Sequence, residues 1–301
     1  MVTATAKRKV GHYLQRTHNQ GRTLRVGQRR ACRLMGMSRS SYRYQSRRDD
    51  SSLLARLKVL AEQRPRFGYR RLHALLSREG RVVNHKRVYR LYREEGLTLP
   101  WRGRKRRAAA KRVPLERPTG VNERWSVDFI HDQLGSGSRF RVLNVVDDFS
   151  RECLACEVDS SLPGERVVRI LDRLVDSRGK PGSIVLDNGP EFVGRAMDRW
   201  AYGHGVRLSF IPPGRPLENA FVESFNGRLR DPKSRLVECL NLHWFMSLAE
   251  ARRVIEEWRL DYNQQRPHSS LGYLTPAEFA RSDSSGLNSQ AQCRLDLRTE
   301  V

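Results

Sequence analysis

The sequence predicts two structural parts: an all-α, strongly basic front and a mixed α/β domain behind it. Three observations predict this. Residues 1–120 hold 33 basic and 7 acidic side chains, whereas residues 121–301 hold 24 basic and 26 acidic, so the front carries the whole excess of the +24 formal charge. Apolar residues in the front recur at helical spacing and are punctuated by glycine turns. From residue 121 the pattern changes to strands and then alternates helix and strand, which is the signature of layered α/β packing.

The front elements follow in order. Residues 27–45 read as two short helices around Gly36, the second opened by Ser38, a residue type suited to an N-cap. Helix, glycine turn and Ser-capped basic helix match a helix-turn-helix pattern. A second unit follows. Leu53, Leu54, Leu57, Leu60 and Ala61 mark one face of a helix over 51–63, and Leu72, Leu75 and Leu76 mark another after the turn at 64–68. Val88, Leu91 and Tyr92 mark a third over 84–95, capped by Asn84. Its open face carries His85, Lys86, Arg87 and Arg90, suited to a DNA major groove. The bland reading is a three-helix bundle with a solvated basic face. Charge spread over the whole segment, rather than along one stripe, favours DNA.

Residues 100–118 hold eight basic residues, three prolines and no apolar periodicity. They read as a linker whose Arg104, Lys105, Arg106 and Arg107 track phosphates. A nuclear localisation signal has a similar composition. Behind it, 124–131 alternates, with Trp125, Val127 and Phe129 on one face and Asp128 on the other. The stretch 134–138 is a hairpin loop, and strands follow over 139–150 and 151–160. Next come a helix over 163–178, an apolar strand over 183–186, a helix over 190–203, a strand over 207–211, a Pro/Gly loop at 212–216 and a helix over 217–230.

Composition excludes several classes. Hydrophobic residues make up 38% of the chain, too many for a wholly disordered basic tail. No apolar run approaches the length of a membrane span, and the basic N-terminus leads into no apolar stretch of a secretory signal. Five cysteines do not read as a disulfide framework, and a reducing, cytoplasmic setting is the simplest. Cys153 and Cys156 form a single CxxC within a strand, and the His12/His18 spacing has only the lone Cys32 after it, so a zinc site is not expected.

Three acidic residues stand out. Asp128 lies mid-strand among apolar neighbours, where a charge is costly unless a cation neutralises it. Asp187 follows an apolar strand at its C-terminal end, a usual position for active sites in open sheets. Glu223 is on a helix, with Arg230 two turns later on the same face. If the first and fourth strands are neighbours, Asp128 and Asp187 can share a divalent cation and Glu223 can complete a second site. Oxygen clusters of this kind suit Mg²⁺ or Mn²⁺. Two ions about 4 Å apart serve phosphodiester chemistry. The competing readings are an N-cap for Asp187 and a surface ion pair between Glu223 and Arg230.

The segments W-S-V-D-F (125–129), L-N-V-V-D-D-F-S-R (143–151), D-N-G-P-E-F (187–192), P-G-R-P-L-E-N-A-F-V-E-S-F-N-G-R-L-R (213–230) and D-Y-N-Q-Q-R-P-H-S-S-L-G (261–272) carry a family likeness. The chain resembles the second-reading-frame (OrfB) protein of insertion sequence family three, bacterial transposases that share a ribonuclease-H-like catalytic core with retroviral integrases. The likeness runs from the helix-turn-helix units to about residue 280. Its hallmark is two aspartates and a glutamate, the last two separated by 35 residues, which is the separation of Asp187 and Glu223. The resemblance implies that Asp128, Asp187 and Glu223 are catalytic and bind two Mg²⁺ (or Mn²⁺) ions. It implies that Arg230 contacts DNA, that Asn219, one turn before Glu223, hydrogen-bonds DNA or orders that carboxylate, and that Trp125, Asn188 and Gly189 support the site. Asp147 and Asp148 match family positions and read as turn or supporting residues rather than ligands. Arg266, Pro267 and His268 belong to a C-terminal signature, read as a loop packed under the last helices.

The implied organisation is a basic segment with a helix-turn-helix-like unit (1–48), a helix-turn-helix-like DNA-binding domain (49–99), a linker (100–118), an integrase core (119–231), a helical extension (232–282) and a disordered tail (283–301). The implied reaction is metal-dependent DNA cleavage and strand transfer at element ends, without a covalent enzyme intermediate. The implied partners are double-stranded DNA (terminal inverted repeats and target DNA), further copies of the chain, and an upstream-frame (OrfA) protein or frameshift fusion. The chain has no leucine heptads of its own and reads as the downstream part. One departure is an insertion at 232–237, with Pro232 just past Arg230. Leu186 is another, standing where a small polar residue is common. The insertion favours an alternative, an inactive DNA-binding derivative that occupies transposon ends. A nuclease that cuts without joining fits the paired helix-turn-helix units less well.

Overall fold

The computed structural model describes residues 4–16, 18–19, 22–23, 26–44, 49–99, 117–211, 219–230, 239–240 and 243–284. The linker cluster Arg104–Arg107, the loop at 212–216, the insertion at 232–237 and the tail beyond 284 fall outside them. The chain divides into two compact units, Met1–Ala55 and Arg56–Val301.

In the first unit, α1 (Ala4–Arg16) precedes a short ribbon of β1 (His18–Asn19) and β2 (Arg22–Thr23), then α2 (Gln28–Leu34) and α3 (Arg39–Arg43). Gly36 turns the chain between α2 and α3 with φ +58°, a conformation glycine adopts without strain. Ser38 caps α3 by accepting from the Ser41 amide at 3.1 Å. The α1 helix has no counterpart among the sequence expectations.

The second unit begins within α4 (Ser51–Gln63) and continues through α5 (Tyr69–Arg78) and α6 (His85–Glu94). Leu57, Leu60, Leu72, Leu76, Val88, Leu91 and Tyr92 are buried, so the leucine spacing marks the faces these helices turn inward. Asn84 caps α6 by accepting from the Lys86 amide at 2.8 Å.

A mixed five-stranded sheet forms the rest, in the order β5-β4-β3-β6-β7. The strands are β3 (Arg124–Gln133), β4 (Arg139–Asp147), β5 (Cys153–Asp159), β6 (Ser183–Leu186) and β7 (Arg207–Phe210). The first three form an antiparallel meander, and β6 and β7 add in parallel through helical crossovers. One face packs on α7 (Gly164–Arg178) and α8 (Arg195–His204), through Trp125, Val127, Leu143, Val145, Ile170, Met197 and Trp200. The other packs on α9 (Ala220–Arg230) and α10 (Leu248–Gln264), through Ile130, Val142, Val146, Val222, Phe225, Ile255 and Tyr262. A final helix, α11 (Pro276–Ser284), closes the described chain. Helices on both faces of a meander extended by parallel strands make the ribonuclease-H-like arrangement that the resemblance implies.

Some boundaries correct the sequence expectations. The helix expected over 190–203 starts only at Arg195, because the Phe192 and Val193 amides both turn back to the Gly189 carbonyl and Gly194 is extended. The strand expected to reach 150 ends at Asp147. Its carboxylate accepts from the amides of Phe149 and Ser150 and from the Ser150 hydroxyl, which folds a tight turn. The strand β5 carries a bulge. Val145 pairs with Ala155 while Val146 pairs with Cys153, which leaves Leu154 as the extra residue. Leu154 and Ala155 therefore both face the α7 side, and Cys153 and Cys156 both face the α10 side with sulfurs 3.4 Å apart.

Candidate active site

Two adjacent parallel strands set the site. β3 and β6 pair with Ser126 opposite Val185, so Asp128 lies level with Asp187, the first residue past the end of β6. Even positions of β3 face α9, because the odd positions Trp125 and Val127 fill the opposite core. Glu223 lies in the first turn of α9, which buries Val222, Phe225 and Leu229 and leaves Glu223 on its exposed side.

Asp128 is the most constrained of the three. Burial raises its pKa to about 6, and the charges of Asp187 and Glu223 push in the same direction, while the Phe129 amide and the Asn226 side chain oppose it. Asn226 Nδ2 donates to Asp128 Oδ2 at 2.7 Å, and Asn226 Oδ1 accepts from Asn144 Nδ2 at 2.7 Å. Asn144 is fully buried and directly opposite Asp128 in the β3–β4 ladder. A polar chain thus joins β4, α9 and the Asp128 carboxylate. Neither Asn226 nor Asn144 stands out in the sequence. The signal for Asn226 was its position three residues after Glu223, which puts both on one helix face.

The loop after β6 is shaped by Gly189, whose amide donates to Asp187 Oδ1 at 3.0 Å. A Cβ at Gly189 would stand 3.0 Å from that oxygen and 3.1 Å from Glu191 Oε2, so a side chain there presses on both carboxylates. Asn188 anchors the loop from Nδ2 to the Ile211 carbonyl at 2.8 Å. Glu191 pairs with Arg141, whose guanidinium lies 4.3 Å over the Phe129 ring, and Phe129 stacks on Phe192. Trp125 is buried and donates from Nε1 to Asn122 Oδ1 at 3.0 Å.

Other residues take positions that the sequence left open. Arg230 makes no ion pair with Glu223; it donates to the His131 carbonyl on β3. Asn219 is buried, and its Oδ1 finds no hydrogen-bond partner among the described residues. Asp147 folds the turn after β4 and also accepts from the Asn122 amide at 2.8 Å. Asp148 is fully buried and accepts from Arg124 and from the Ser126 hydroxyl, each at 2.6 Å. On α6, His85, Lys86 and Arg90 are exposed and Arg87 is half-buried, opposite the inward Val88, Leu91 and Tyr92. Arg90 also pairs with Glu94 at 2.8 Å.

Carboxylates are the donors a hard divalent cation takes, although among the described residues no three acidic, histidine or cysteine side chains stand close enough together to hold one. The charges of Asp187 and Glu223 add to the burial that raises the proton affinity of Asp128, and among the described residues no arginine or lysine forms an ion pair with any of the three. All-oxygen, acidic surroundings of this kind favour magnesium or manganese over softer metals.

Family models agree with this architecture. An HTH-like domain model matches residues 47–105, and two integrase core domain models match residues 118–216 and 204–276. The uncharacterized 31.7 kDa protein of insertion element IS407 from Burkholderia multivorans is 51% identical over 257 residues, covering 85% of this chain and 91% of that one. The putative transposase InsK of insertion sequence element IS150 from Escherichia coli K12 is 28% identical, covering 73% and 80%. Among solved structures, the HTLV-2 integrase catalytic core domain in complex with magnesium aligns with TM-score 0.41 at 19% identity, covering 55% of this chain and 99% of that one. With helix-turn-helix and integrase-core models along its length and a relative identical at half its aligned positions, the chain belongs to the bacterial insertion-sequence transposases with an integrase core, enzymes of the polynucleotidyl-transferase class.

Proposed function

We propose that this protein is a DDE transposase that cleaves DNA at the ends of an insertion sequence and joins the freed strand to another phosphodiester. The observation that carries the reading is the register that sets Asp128 level with Asp187, near enough for the charges of Asp187 and Glu223 to add to the burial that raises Asp128 to about 6. In this reading the three carboxylates hold Mg²⁺ or Mn²⁺, as two ions. When bound, the ions supply charge neutralisation and activation of the attacking oxygen for phosphodiester chemistry. Asn226 orients Asp128 through its 2.7 Å hydrogen bond, and the Gly189 amide orients Asp187. Arg230 and the basic linker Arg104, Lys105, Arg106 and Arg107 follow the DNA, Asn219 hydrogen-bonds DNA or orders Glu223, and His85, Lys86, Arg87 and Arg90 on α6 contact the terminal inverted repeats.

Partners follow from the reaction. Two element ends must be held together, which implies several copies of the chain on DNA, with an upstream-frame (OrfA) protein or frameshift fusion completing the assembly. The work takes place at the nucleoid, in the cytoplasm. Among the described residues no helix is long and apolar enough to cross a membrane.

The test is strand cleavage and joining on end-mimicking oligonucleotides with Mg²⁺ or Mn²⁺, comparing wild type, Asp187→Asn and Glu223→Gln. Metal-dependent joining that disappears in both variants while DNA binding persists is the expected result. Binding without chemistry in the wild type, recovered on deleting 232–237, identifies a copy disabled by its insertion. If chemistry is absent even then, and also when the upstream-frame protein is added, the inactive DNA-binding derivative is the better description.

A further inference from the structure

The signature D-Y-N-Q-Q-R-P-H (261–268) lies outside the carboxylate site, and its contacts give it a use. Arg64, in the turn after α4, donates from Nη1 and Nη2 to Asp261 Oδ2 and Oδ1 on α10, at 2.6 and 2.5 Å. The next turn residue to point inward, Phe67, is 5% exposed. Three guanidiniums rim its ring: Arg71 at 5.5 Å, Arg266 at 5.6 Å and Arg64 at 5.8 Å. Arg266 also lies 5.9 Å over Tyr262. A second anchor stands beside the first. Arg78, at the end of α5, donates to Glu278 on α11 at 2.6 Å and to the Tyr273 carbonyl at 3.2 Å.

The seat is itself held to the catalytic machinery. Asn263 brackets the Cys153 backbone, accepting from its amide at 2.9 Å and donating to its carbonyl at 2.8 Å, which fixes the end of α10 to β5. Tyr262 meets Phe225 of α9 edge-on at 4.9 Å, and its hydroxyl accepts from Arg228 of α9 at 3.2 Å. Phe225 and Arg228 flank Asn226 on the helix that carries Glu223. A continuous packed route therefore runs from the turn at 64–67, through Arg266 and Tyr262, to α9.

We propose that the 261–268 segment is an interdomain clamp, whose Asp261 and Arg266 are positioning residues that seat the α4–α6 module through Arg64 and Phe67. The clamp fixes the distance between DNA held by α6 and the phosphodiester presented to Asp128, Asp187 and Glu223. This rests on the reading of the protein as an end-cleaving transposase. A half-exposed ion pair alone stabilises little. A bidentate pair combined with a buried aromatic ring and a second anchor holds one geometry, and fixed geometry is where a cleavage enzyme gains rate and precision. A module free on its linker would bind the same ends with no set register between binding site and cut.

The experiment uses the full chain as wild type, Arg64→Asp, Asp261→Arg and the double charge swap Arg64→Asp/Asp261→Arg, each checked for folding by circular dichroism. Small-angle scattering and limited proteolysis report docking of the module without reference to activity. Binding and nick position are then measured on end-mimicking oligonucleotides. Each single variant is expected to enlarge the radius of gyration, keep end affinity within about threefold, spread the nick over neighbouring phosphates and slow cleavage about tenfold or more. The double swap is expected to restore compactness, nick position and rate together, which a merely destabilising effect does not do. Wild-type dimensions and a single nick position in both single variants overturn the clamp, as does a double swap that restores nothing. If no DNA end is cut even with 232–237 deleted and the upstream-frame protein added, the transposase reading fails, and scattering with charge-swap rescue still decides whether the module is clamped.

Discussion

Asn226 shows how a single side chain ties the site together. Its amide touches Asp128 with one end and Asn144 with the other, so the carboxylate on β3 is oriented by the helix that carries Glu223. Replacing Asn226 with Ala removes both bonds and leaves Asn144 with a buried unpaired donor. We expect cleavage to fall about 10- to 100-fold with DNA affinity unchanged, and the metal concentration for half-maximal rate to rise, as read from a metal titration of nicking. His268 offers a test on stability. Burial lowers its pKa to about 2, and the neighbouring Arg228, Arg266, Arg71 and Arg151 charges act in the same direction. The unfolded chain binds a proton near the ordinary histidine value of about 6.5 that the folded chain refuses. Its contribution to stability is therefore complete above pH 6.5 and is lost as pH falls through the window from 6.5 towards 2. The slope is at most about 1.4 kcal/mol per pH unit. Urea unfolding at pH 5 and pH 7 should show this loss, and His268→Leu should flatten it; equal pH dependence in both proteins would remove His268 as the cause.

At the scale of elements, capping and register did most to place functional groups. Asn84 opens α6 by accepting from the Lys86 amide, so it sets where the exposed His85, Lys86 and Arg90 begin. Asn84→Ala should cost about 1 kcal/mol of stability, measured as a shift in the denaturant midpoint with an unchanged m-value. Caps and leucine spacing were legible because their cause is local: Ser38, Asn84 and the inward faces of α4, α5 and α6 all lie where the periodicity puts them. The α8 start was not legible, because Phe192 is apolar in a turn and fits a helical pattern equally well. Nor was the β5 bulge. Strand alternation puts Cys153 and Cys156 on opposite faces, and only the slip against Val145 and Val146 brings their sulfurs together.

Over the whole molecule, the basic excess and the candidate carboxylates are segregated along the chain. The basic excess lies in residues 1–120 and the carboxylate trio in the near-neutral remainder. The logarithm of the affinity for duplex DNA should therefore fall linearly with the logarithm of salt concentration, with a slope of about −0.9 for each phosphate neutralised. Lys86→Ala should reduce that slope by about 1 and weaken binding to specific and unrelated duplexes alike. Fluorescence anisotropy between 50 and 200 mM salt checks this, and a slope unaltered in the variant would take α6 off the DNA. The link between the two parts is made by arginines from the basic front, Arg64 and Arg78, on acids of the C-terminal helices, Asp261 and Glu278.

The sequence by itself determined the basic front, the paired helix-turn-helix patterns, the α/β order behind them and the candidacy of Asp128, Asp187 and Glu223. Those features follow from composition, period and spacing, which are properties of neighbouring residues. The tertiary structure alone decided that β3 and β6 lie side by side, that Asn144 and Asn226 bracket Asp128, and that Arg230 turns to the His131 carbonyl. It alone gave the 261–268 signature its contacts with Arg64 and Phe67, nearly 200 residues away in the chain. These are pairings between distant segments, fixed by which faces the packed sheet and helices leave for one another, and no local pattern encodes them.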